Sequence, residues 1–392
     1  MVHYRGLTWE HPRGTHALRA AAESAGTSPG FSLHWDSHPL EGFESSSIEQ
    51  LAEKYDLIVL DHPHLGDATA ADSLRPLDEL FSESELAACA TQGVGPSFRS
   101  YLYNGRLLAL PLDAATQVSA RRADLAEDAP ATWEEVLALS ERAPVALSLA
   151  GPHAFLTFCS IAVALGEEPR TDGSAPFVSR ETGNRVLGLM ASLAERAPAG
   201  SDMLNPIALL ELMATDDTIA YCPLVYGYVN YAQPSAAPGR HPLSFGAAPA
   251  ENPGGRPGST IGGTGLAVSR RCEVTPALLD HLRFLVSAEA QTVFIPRHDG
   301  QPSSRAAWLD ADTNAGSGNF YRDTLPTIEQ AWVRPRFAGF TRCQGLASEA
   351  LRQAIMAPSG RGDVLAEIDD IVASAHSSSL LHTDLTSEGQ RR

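Results

Sequence analysis

Apolar residues in this chain come in short runs separated by polar turns, a pattern typical of an α/β protein. The clearest run covers residues 57–60 (LIVL), and Pro63 and Gly66 follow it. It predicts a short strand buried on both faces of a parallel sheet. Ser47 can cap the helix before it. The first 66 residues predict a β-α-β-α-β unit, with strands over residues 2–8, 31–35 and 57–60 and helices over residues 15–25 and 48–54.

The remainder of the chain predicts a longer alternation of strands and helices. Asn104 and Gly105 predict a hairpin turn, and Pro111 is expected to interrupt the next strand and to begin a crossover over residues 111–117. Thr132 and Glu135 predict a capping box at a helix start. The other main elements predicted are strands over residues 118–121, 145–149, 217–221, 243–247 and 261–269 and helices over residues 155–165, 180–194, 345–357 and 364–375.

Polar and ionisable residues follow two of the early strands. They are Trp9, Glu10 and His11 after the first strand, and Asp61, His62 and His64 after the strand over residues 57–60. Open α/β sheets place their ligands outside the carboxyl ends of parallel strands. If these two strands are parallel neighbours, the two groups lie close together and form one wall of a ligand pocket.

Charge and length narrow the class of protein. The chain has 392 residues, 29 Lys and Arg against 47 Asp and Glu, and a net charge of -18. Such a charge repels nucleic acid and anionic membrane surfaces, so no nucleic-acid partner is predicted. No apolar run approaches the roughly 18 residues of a membrane span. The length suggests two or three domains in a soluble globular protein, expected to be a monomer.

Neither the cysteines nor a search for common catalytic motifs indicates a particular chemistry. The five cysteines are widely spaced and form no C-x-x-C pair, so neither a disulfide framework nor a zinc site is predicted; they are Cys89, Cys159, Cys222, Cys272 and Cys343. The sequence contains no P-loop, dinucleotide fingerprint, G-x-S-x-G elbow or H-E-x-x-H motif. We therefore predict no cofactor and no resident metal.

Five segments, in order, give the chain a resemblance to a known family. They are residues 55–59 (YDLIV), 103–111 (YNGRLLALP), 132–135 (TWEE), 262–269 (GGTGLAVS) and 334–337 (RPRF). In these segments the chain resembles the family 1 extracellular solute-binding proteins of the maltose-binding type, the ligand-capturing subunits of sugar ABC importers. The resemblance covers nearly the whole chain.

The resemblance implies a two-lobed, periplasmic-binding-protein-like α/β fold of type II, with a hinge and an interlobe cleft that closes on a solute. Its lobes would be residues 1–113 plus 265–312 and residues 117–261 plus 320–375, with residues 376–392 as a flexible tail. The crossings would lie near Asp113 and near Gly263 and Thr264, where glycines supply the conformational freedom that a hinge or a close approach of ligand uses. Asp113, Gly263 and Thr264 are therefore also ligand-binding candidates. The partner implied for an exported form is an ABC permease.

Location depends on the native start of the chain. Family members are exported, whereas no leader pattern precedes the first predicted strand here. We expect a cytoplasmic protein if Met1 is the native start, and a periplasmic or extracellular one if a signal peptide has been removed.

Three interpretations of the ionisable cluster remain open. As a metal site, His62 and His64 with Glu10 or His11 offer suitable ligands, but an extended His-Pro-His segment points its rings to opposite sides. As acid/base machinery, His62 or His11 beside Asp61 could move protons near neutral pH. Alternatively, the histidines hydrogen-bond to the loop backbone and line a polar pocket.

Further ligand-binding candidates lie elsewhere in the chain. Trp9, Tyr226 and Tyr228 could stack on a sugar ring or another flat ligand. His153 is expected after a second-lobe strand, and Arg297 could hold a carboxylate or phosphate, with His298 beside it. Two functions therefore remain open: a solute receptor for a sugar-like or carboxylate-bearing metabolite, or an enzyme that uses His62, Asp61 or His11 in the same cleft.

Overall fold

The computed structural model describes residues 2–26, 31–127, 129–235, 237–357 and 362–389. Nine strands lie in these ranges. They are β1 (Val2–Trp9), β2 (Phe31–His38), β3 (Leu57–Leu60), β4 (Leu102–Tyr103), β5 (Arg106–Leu107), β6 (Leu110–Arg121), β7 (Tyr221–Tyr226), β8 (Ser244–Gly246) and β9 (Ile261–Val268). All but the short β4–β5 hairpin belong to one sheet, in the order β2-β1-β3-β9-β6-β7, with β8 paired to β6.

Helices pack against both the β2-β1-β3 part and the β6-β7 part of this sheet. They are α1 (Pro12–Ala25), α2 (Leu40–Ser45), α3 (Ile48–Ala52), α4 (Leu65–Ala70), α5 (Glu83–Gln92), α6 (Ser97–Ser100), α7 (Trp133–Ser140), α8 (His153–Ala164), α9 (Arg180–Arg196), α10 (Pro206–Thr215), α11 (Pro276–Leu285), α12 (Ile295–Arg297), α13 (Arg305–Leu309), α14 (Ala311–Gly316), α15 (Phe320–Glu329), α16 (Phe340–Met356) and α17 (Val364–Gly389). Within the described ranges, no helix is both long and apolar enough to cross a membrane.

The N-terminal unit follows the predicted alternation. β1 pairs in parallel with β2 and β3, and Gly6 and Leu7 lie opposite Leu57 and Ile58. The side chain of Ser47 accepts the backbone N–H of Gln50 and caps α3. All four residues of β3 are buried, as expected for a strand covered on both faces. The carboxyl ends of β1 and β3 therefore meet at one edge of the sheet.

Two antiparallel strands connect this unit to the rest of the sheet. The first half of β6 pairs with β9, and its second half pairs with β7 and β8. The prediction that Pro111 interrupts the strand is wrong. Pro111 lies inside the continuous β6, beside a register shift between Pro111 and Asp113, where a residue without an N–H is tolerated.

Two predicted strands differ from the structure for identifiable reasons. Residues 145–149 form no strand; Val145 makes an isolated bridge to Tyr221, and the other apolar side chains are buried among helices. The strand predicted over residues 217–221 begins only at Tyr221 and continues to Tyr226 as β7. The residues before it are held in a turn, because the carboxylate of Asp216 accepts the backbone N–H of Thr218. A register shift in the pairing of β6 with β7 falls opposite Pro223.

Three local predictions are also corrected. The segment His62–His64 is a 3-10 helix rather than extended chain. His153 is the first residue of α8 rather than the residue after a strand. α17 continues to Gly389, beyond the end predicted at residue 375. The end of the predicted tail, residues 390–392, lies outside the described residues.

Three groups of buried apolar side chains support this architecture. One packs β1, β2, β3 and the end of β9 against α1 and α11. Another is formed mainly by α7, α8, α9, α16 and α17. The third lies between the second half of β6, α10, β7 and α15. The sheet therefore carries separate cores at its two ends, joined through β6 and β9.

Gly263 is a position where only glycine fits without strain. Its φ is +89°, and a Cβ there would lie 2.4 Å from the carbonyl oxygen of Asp113 on β6. We expect Gly263→Ala to lower the free energy of unfolding by about 2–4 kcal/mol, measured by urea denaturation. Gly188→Ala is the control, because a Cβ at that helical position meets nothing within 4 Å. The control should gain about 0.5–1 kcal/mol; equal effects at both positions would contradict this prediction.

Candidate functional site

An ion pair between distant parts of the chain lies at the end of β3. Asp61 follows β3, and its Oδ2 is 2.5 Å from Nη2 of Arg334, which is 3% exposed. Gln344 on α16 accepts a second hydrogen bond from Arg334 at 3.1 Å. Burial alone would raise the pKa of Asp61, but the charge of Arg334 and the hydrogen bonds from His62 hold it well below its usual range. Asp61 is therefore a carboxylate at every physiological pH.

His62 is a buried, neutral partner of the same carboxylate. Its Nδ1 lies 3.0 Å from Oδ1 of Asp61, and its backbone N–H donates to that oxygen at 2.8 Å. Burial and the charge of Arg334 lower the pKa of His62 to about 4, although Asp61 opposes this shift. The ring stands edge-on to Tyr101, with 6.3 Å between the ring centroids. Nε2 of His62 is buried without a hydrogen-bond partner among the described residues.

Two tyrosine hydroxyls complete the surroundings of the ion pair. The hydroxyls of Tyr101 and Tyr226 are both buried and have no hydrogen-bond partner in the described part of the chain. Burial raises the pKa of both phenols, and the charges of Asp61 and Arg334 act on both. Nε of Arg334 is also without a partner there. Buried polar atoms of this kind normally have partners, so several unpartnered ones in one place indicate a site for a polar ligand.

Two glycines of β9 leave the space that both tyrosine rings occupy. A Cβ at Gly262 would lie 2.5 Å from the Tyr226 ring, and a Cβ at Gly265 would lie 2.6 Å from the Tyr101 ring. Between these glycines, Thr264 is 3% exposed, and its hydroxyl has no partner among the described residues. The glycine cluster therefore brings two rings against one strand.

A second contact crosses the site from α2 to α8. Oε1 of Glu44 lies 3.2 Å from Nε2 of His153, which is 1% exposed. The His153 ring stands edge-on to Tyr226 at 5.9 Å. Asp61, His62, Tyr101, Tyr226 and Arg334, together with Glu44 and His153, are called the central cluster below.

A second buried ion pair lies beside the central cluster. Arg13 on α1 donates from both Nε and Nη2 to the carboxylate of Asp113, with Nε to Oδ2 at 2.7 Å. Arg13 also donates to the carbonyl oxygen of Gly227 at 2.9 Å and lies over the Tyr228 ring at 4.6 Å. Burial raises the pKa of Asp113, and the charge of Arg13 opposes that shift. The pair ties α1 to β6 and to the end of β7.

The remaining predicted residues near β1 fall into two groups. His11 caps α1 and stands edge-on to Tyr228 at 4.8 Å, and burial lowers its pKa to about 3. Trp9 is buried against Gly14 and Phe43. Glu10, by contrast, is exposed. Trp9 and His11 thus lie beside the Arg13–Asp113 pair.

Arg297 and His298 are placed away from the central cluster. Arg297 is exposed and lines a separate cavity of about 270 Å³ with Asp310, Asp312 and Tyr321. Nδ1 of His298 lies 2.8 Å from the carbonyl oxygen of Phe294, and the two rings are in contact. The His298 ring is therefore occupied by its own helical segment.

A cavity of about 930 Å³ lies beside the 3-10 helix that carries His62 and His64. It opens between α3 and α4 on one side and α16 and α17 on the other, and His64, Asp67 and Cys343 are among its lining residues. His64 belongs to the same 3-10 helix as His62, and it lines the cavity whereas His62 does not. Within the described ranges, no three His, Cys, Asp or Glu side chains are grouped closely enough to hold a metal.

Arg13 and several residues of the central cluster were not predicted as site residues. Arg334 lies in one of the segments that carry the family resemblance, and Arg13 lies just after Trp9, Glu10 and His11. Their positions in the sequence were the only features that could have identified Arg334 and Arg13 as site residues. Glu44 and Tyr101 follow no motif that separates them from surface or core residues.

Removing one partner of the buried ion pair should strongly destabilise the fold. We expect Arg334→Met to lower the free energy of unfolding by about 3–5 kcal/mol, because Asp61 would remain buried without its cation. The measurement is chemical denaturation at pH 7. Arg185→Met is the matched control, since Arg185 and Glu251 form an exposed pair that should contribute at most about 1 kcal/mol. Equal losses in the two variants would show that the Asp61–Arg334 contact carries no special weight.

The low pKa of His62 predicts a particular pH dependence. The folded state holds His62 neutral down to about pH 4, whereas the unfolded chain takes up a proton near 6.5. Its contribution to stability is therefore complete above pH 6.5 and falls as the pH drops towards 4. We expect His62→Gln to reduce that loss by roughly 1–3 kcal/mol, measured by denaturation between pH 7 and pH 4. His34→Gln, at a site with 78% side-chain exposure, should leave the pH profile unchanged; a matching change there would refute the assignment.

Structural comparison confirms the predicted fold. The ribitol-bound ABC transporter solute-binding protein of Agrobacterium radiobacter K84 is 19% identical, with a TM-score of 0.77 over 96% of this chain and 98% of that chain. The sugar-binding protein MalE of Xanthomonas citri is 16% identical, with a TM-score of 0.76 over 98% and 99% of the two chains. The tagatose-bound solute-binding protein of Thermotoga lettingae TMO is 14% identical, with a TM-score of 0.77 over 96% and 100%. These matches show the two-lobed, type II periplasmic-binding-protein fold.

Sequence comparison identifies the family. No curated protein matches the chain. The family model described as bacterial extracellular solute-binding protein matches residues 45–307, about two thirds of the chain. The match includes β3, both connecting strands β6 and β9, and most of the central cluster. The chain therefore belongs to the bacterial extracellular solute-binding protein family.

Proposed function

We propose that this protein captures a small hydroxyl-rich solute, a sugar or polyol, in the central cluster and releases it unchanged. The observation that carries the proposal is the group of buried polar atoms without partners around the Asp61–Arg334 pair. Tyr101 Oη and His62 Nε2 come from segments before β6, and Tyr226 Oη and Arg334 Nε come from segments after it. A polyhydroxyl solute both donates and accepts hydrogen bonds, which suits this mixture of hydroxyls, imidazole and guanidinium.

We assign the two lobes as residues 1–113 plus 265–312 and residues 117–261 plus 320–375. Contacts between these proposed lobes support a closed arrangement. Arg13 donates to the carbonyl oxygen of Gly227, Asn205 donates to Glu41 at 2.8 Å, and the backbone N–H of Gly339 donates to Asp67 at 2.7 Å. Solute would drive this closure if it binds the closed state more tightly than the open one. β6 and β9 would then form the hinge.

Receptor function is favoured over catalysis by the state of the ionisable groups. Both oxygens of Asp61 already have partners, Arg334 and His62. His62 is held neutral with a pKa of about 4, far from the value that suits proton transfer near pH 7. A sugar and a polyol are the ligands named for two structural neighbours, bound tagatose and bound ribitol. Mass spectrometry of bound and recovered solute distinguishes the two functions, because a receptor returns the compound unchanged.

We further propose that the protein works outside the cytoplasm and delivers solute to an ABC permease. The family is extracellular, and its subunits in ABC importers present ligand to a membrane partner. We keep the prediction of a monomer, which size-exclusion chromatography with light scattering would test.

The hydroxyl of Tyr226 provides the sharpest test. We expect Tyr226→Phe to weaken binding of the best sugar or polyol about three- to tenfold, because one buried hydrogen bond to solute is lost. Binding is measured by isothermal titration calorimetry after a thermal-shift screen of neutral sugars and polyols. Tyr55→Phe is the control, since Tyr55 precedes β3 at the opposite end of that strand. The proposal fails if no neutral sugar or polyol binds, or if both variants bind like the unaltered protein.

A further inference from the structure

Glu44 differs from the other carboxylates at the site in having no cationic partner of its own. Asp61 is paired with Arg334 and Asp113 with Arg13. Within the part of the chain that the structure describes, the only polar contact of the Glu44 carboxylate is Oε1 to Nε2 of His153 at 3.2 Å. The two arginines balance Asp61 and Asp113, whereas no Arg or Lys among the described residues pairs with Glu44.

Glu44 is placed so that its charge acts on residues of the proposed solute site. Glu44 lies on α2, a short helix with no buried residues, and its side chain is 20% exposed. Its charge nonetheless acts on Tyr226, Tyr228 and Arg334, which lie on the other side of the cleft. Oε2 lies 3.8 Å from the position that a Cβ at Gly151 would take, so no side chain covers it from that direction.

Two further charged residues, Arg336 and Asp67, form no contact with Glu44 among those described. Arg336 donates to the carbonyl oxygens of Arg99, Ser100 and Leu102, and Asp67 accepts from Gly339 and Thr341. These two residues are opposite in sign, and both have hydrogen-bond partners other than Glu44. Because His62 is neutral, the central cluster has an excess of one negative charge whenever the His153 ring is neutral as well.

We propose that Glu44 makes the site selective for the charge of the solute. It favours a polyhydroxyl solute that carries a protonated amine and excludes one that carries a carboxylate. A cation near Oε2 gains a charge-assisted hydrogen bond, whereas an anion in a partly buried site meets an uncompensated like charge. This inference rests on the proposed function and narrows its solute class, and it removes the carboxylate-bearing metabolite that the sequence left open.

Three compounds with one carbon skeleton test this selectivity: D-glucitol, D-glucamine and D-gluconate. They differ in one terminal group, which is a hydroxyl, a protonated amine or a carboxylate at pH 7. We expect D-glucamine to bind ten- to a hundredfold more tightly than D-glucitol in calorimetry, and D-gluconate to bind at least tenfold more weakly than D-glucitol. In Glu44→Gln the advantage of the amine should fall at least tenfold and the gap between D-glucitol and D-gluconate should narrow.

Glu49→Gln is the matched control. Glu49 is an exposed carboxylate in the first turn of α3, the helix that follows α2, and it is not one of the contacts that join the proposed lobes. This variant should keep the charge preference of the unaltered protein. Equal melting temperatures without solute for the two variants would show that both are folded.

Each outcome has a distinct meaning. Binding of D-gluconate as tight as that of D-glucamine overturns the inference, and so does an unchanged preference in Glu44→Gln. Either result leaves the proposed function intact if D-glucitol or another neutral polyol binds. If none of the three compounds binds and the neutral screen is also negative, the proposed function and the inference both fail.

Discussion

The buried contact between Asp61 and Arg334 is the interaction on which the site depends. The two residues are separated by 273 positions in the sequence and are joined at 2.5 Å. A buried charge is tolerated only when it is paired and hydrogen-bonded. This requirement fixes the end of β3 against the segment before α16, and His62 and Gln344 take up further hydrogen bonds of the same pair. The Arg13–Asp113 pair imposes a similar requirement between α1 and β6. Together the two pairs fix α1, the end of β3, β6 and the segment before α16 relative to one another.

Pairing of the charges also explains why the remaining polar atoms are informative. Once the arginines have neutralised Asp61 and Asp113, the hydroxyls of Tyr101 and Tyr226 and Nε2 of His62 still lack partners within the described structure. These atoms suit hydroxyl groups better than fully charged groups, because none of them carries a charge at neutral pH. The proposed recognition of a hydroxyl-rich solute thus rests on the polar atoms that the ion pairs leave unsatisfied. Family membership and the fold agree with this reading of the site.

Local features of the fold were predictable from the sequence, whereas contacts between distant residues were not. The β1-α1-β2 and β3 elements, the Ser47 cap, the Asn104-Gly105 hairpin and the Thr132 capping box depend on neighbouring residues, and all of them occur. The strand expected over residues 145–149 fails because a short apolar run fits a buried loop as well as a strand. Arg334 and Glu44 were missed as site residues because their significance lies in partners across the fold. The placements of Asp61, His62 and Tyr226 followed from strand ends, a rule that uses only local pattern and topology.

β9 has two roles that are usually separate. Through Gly262 and Gly265 it lies directly against the rings of Tyr226 and Tyr101, and through its pairing with β6 it joins the two halves of the molecule. In the function proposed above, the hinge between the lobes and the strand that contacts the solute-binding rings are the same stretch of backbone. A solute that shifts either ring would therefore act directly on the hinge. A substitution that enlarges a residue of β9 to change the solute preference would also alter how the two halves move.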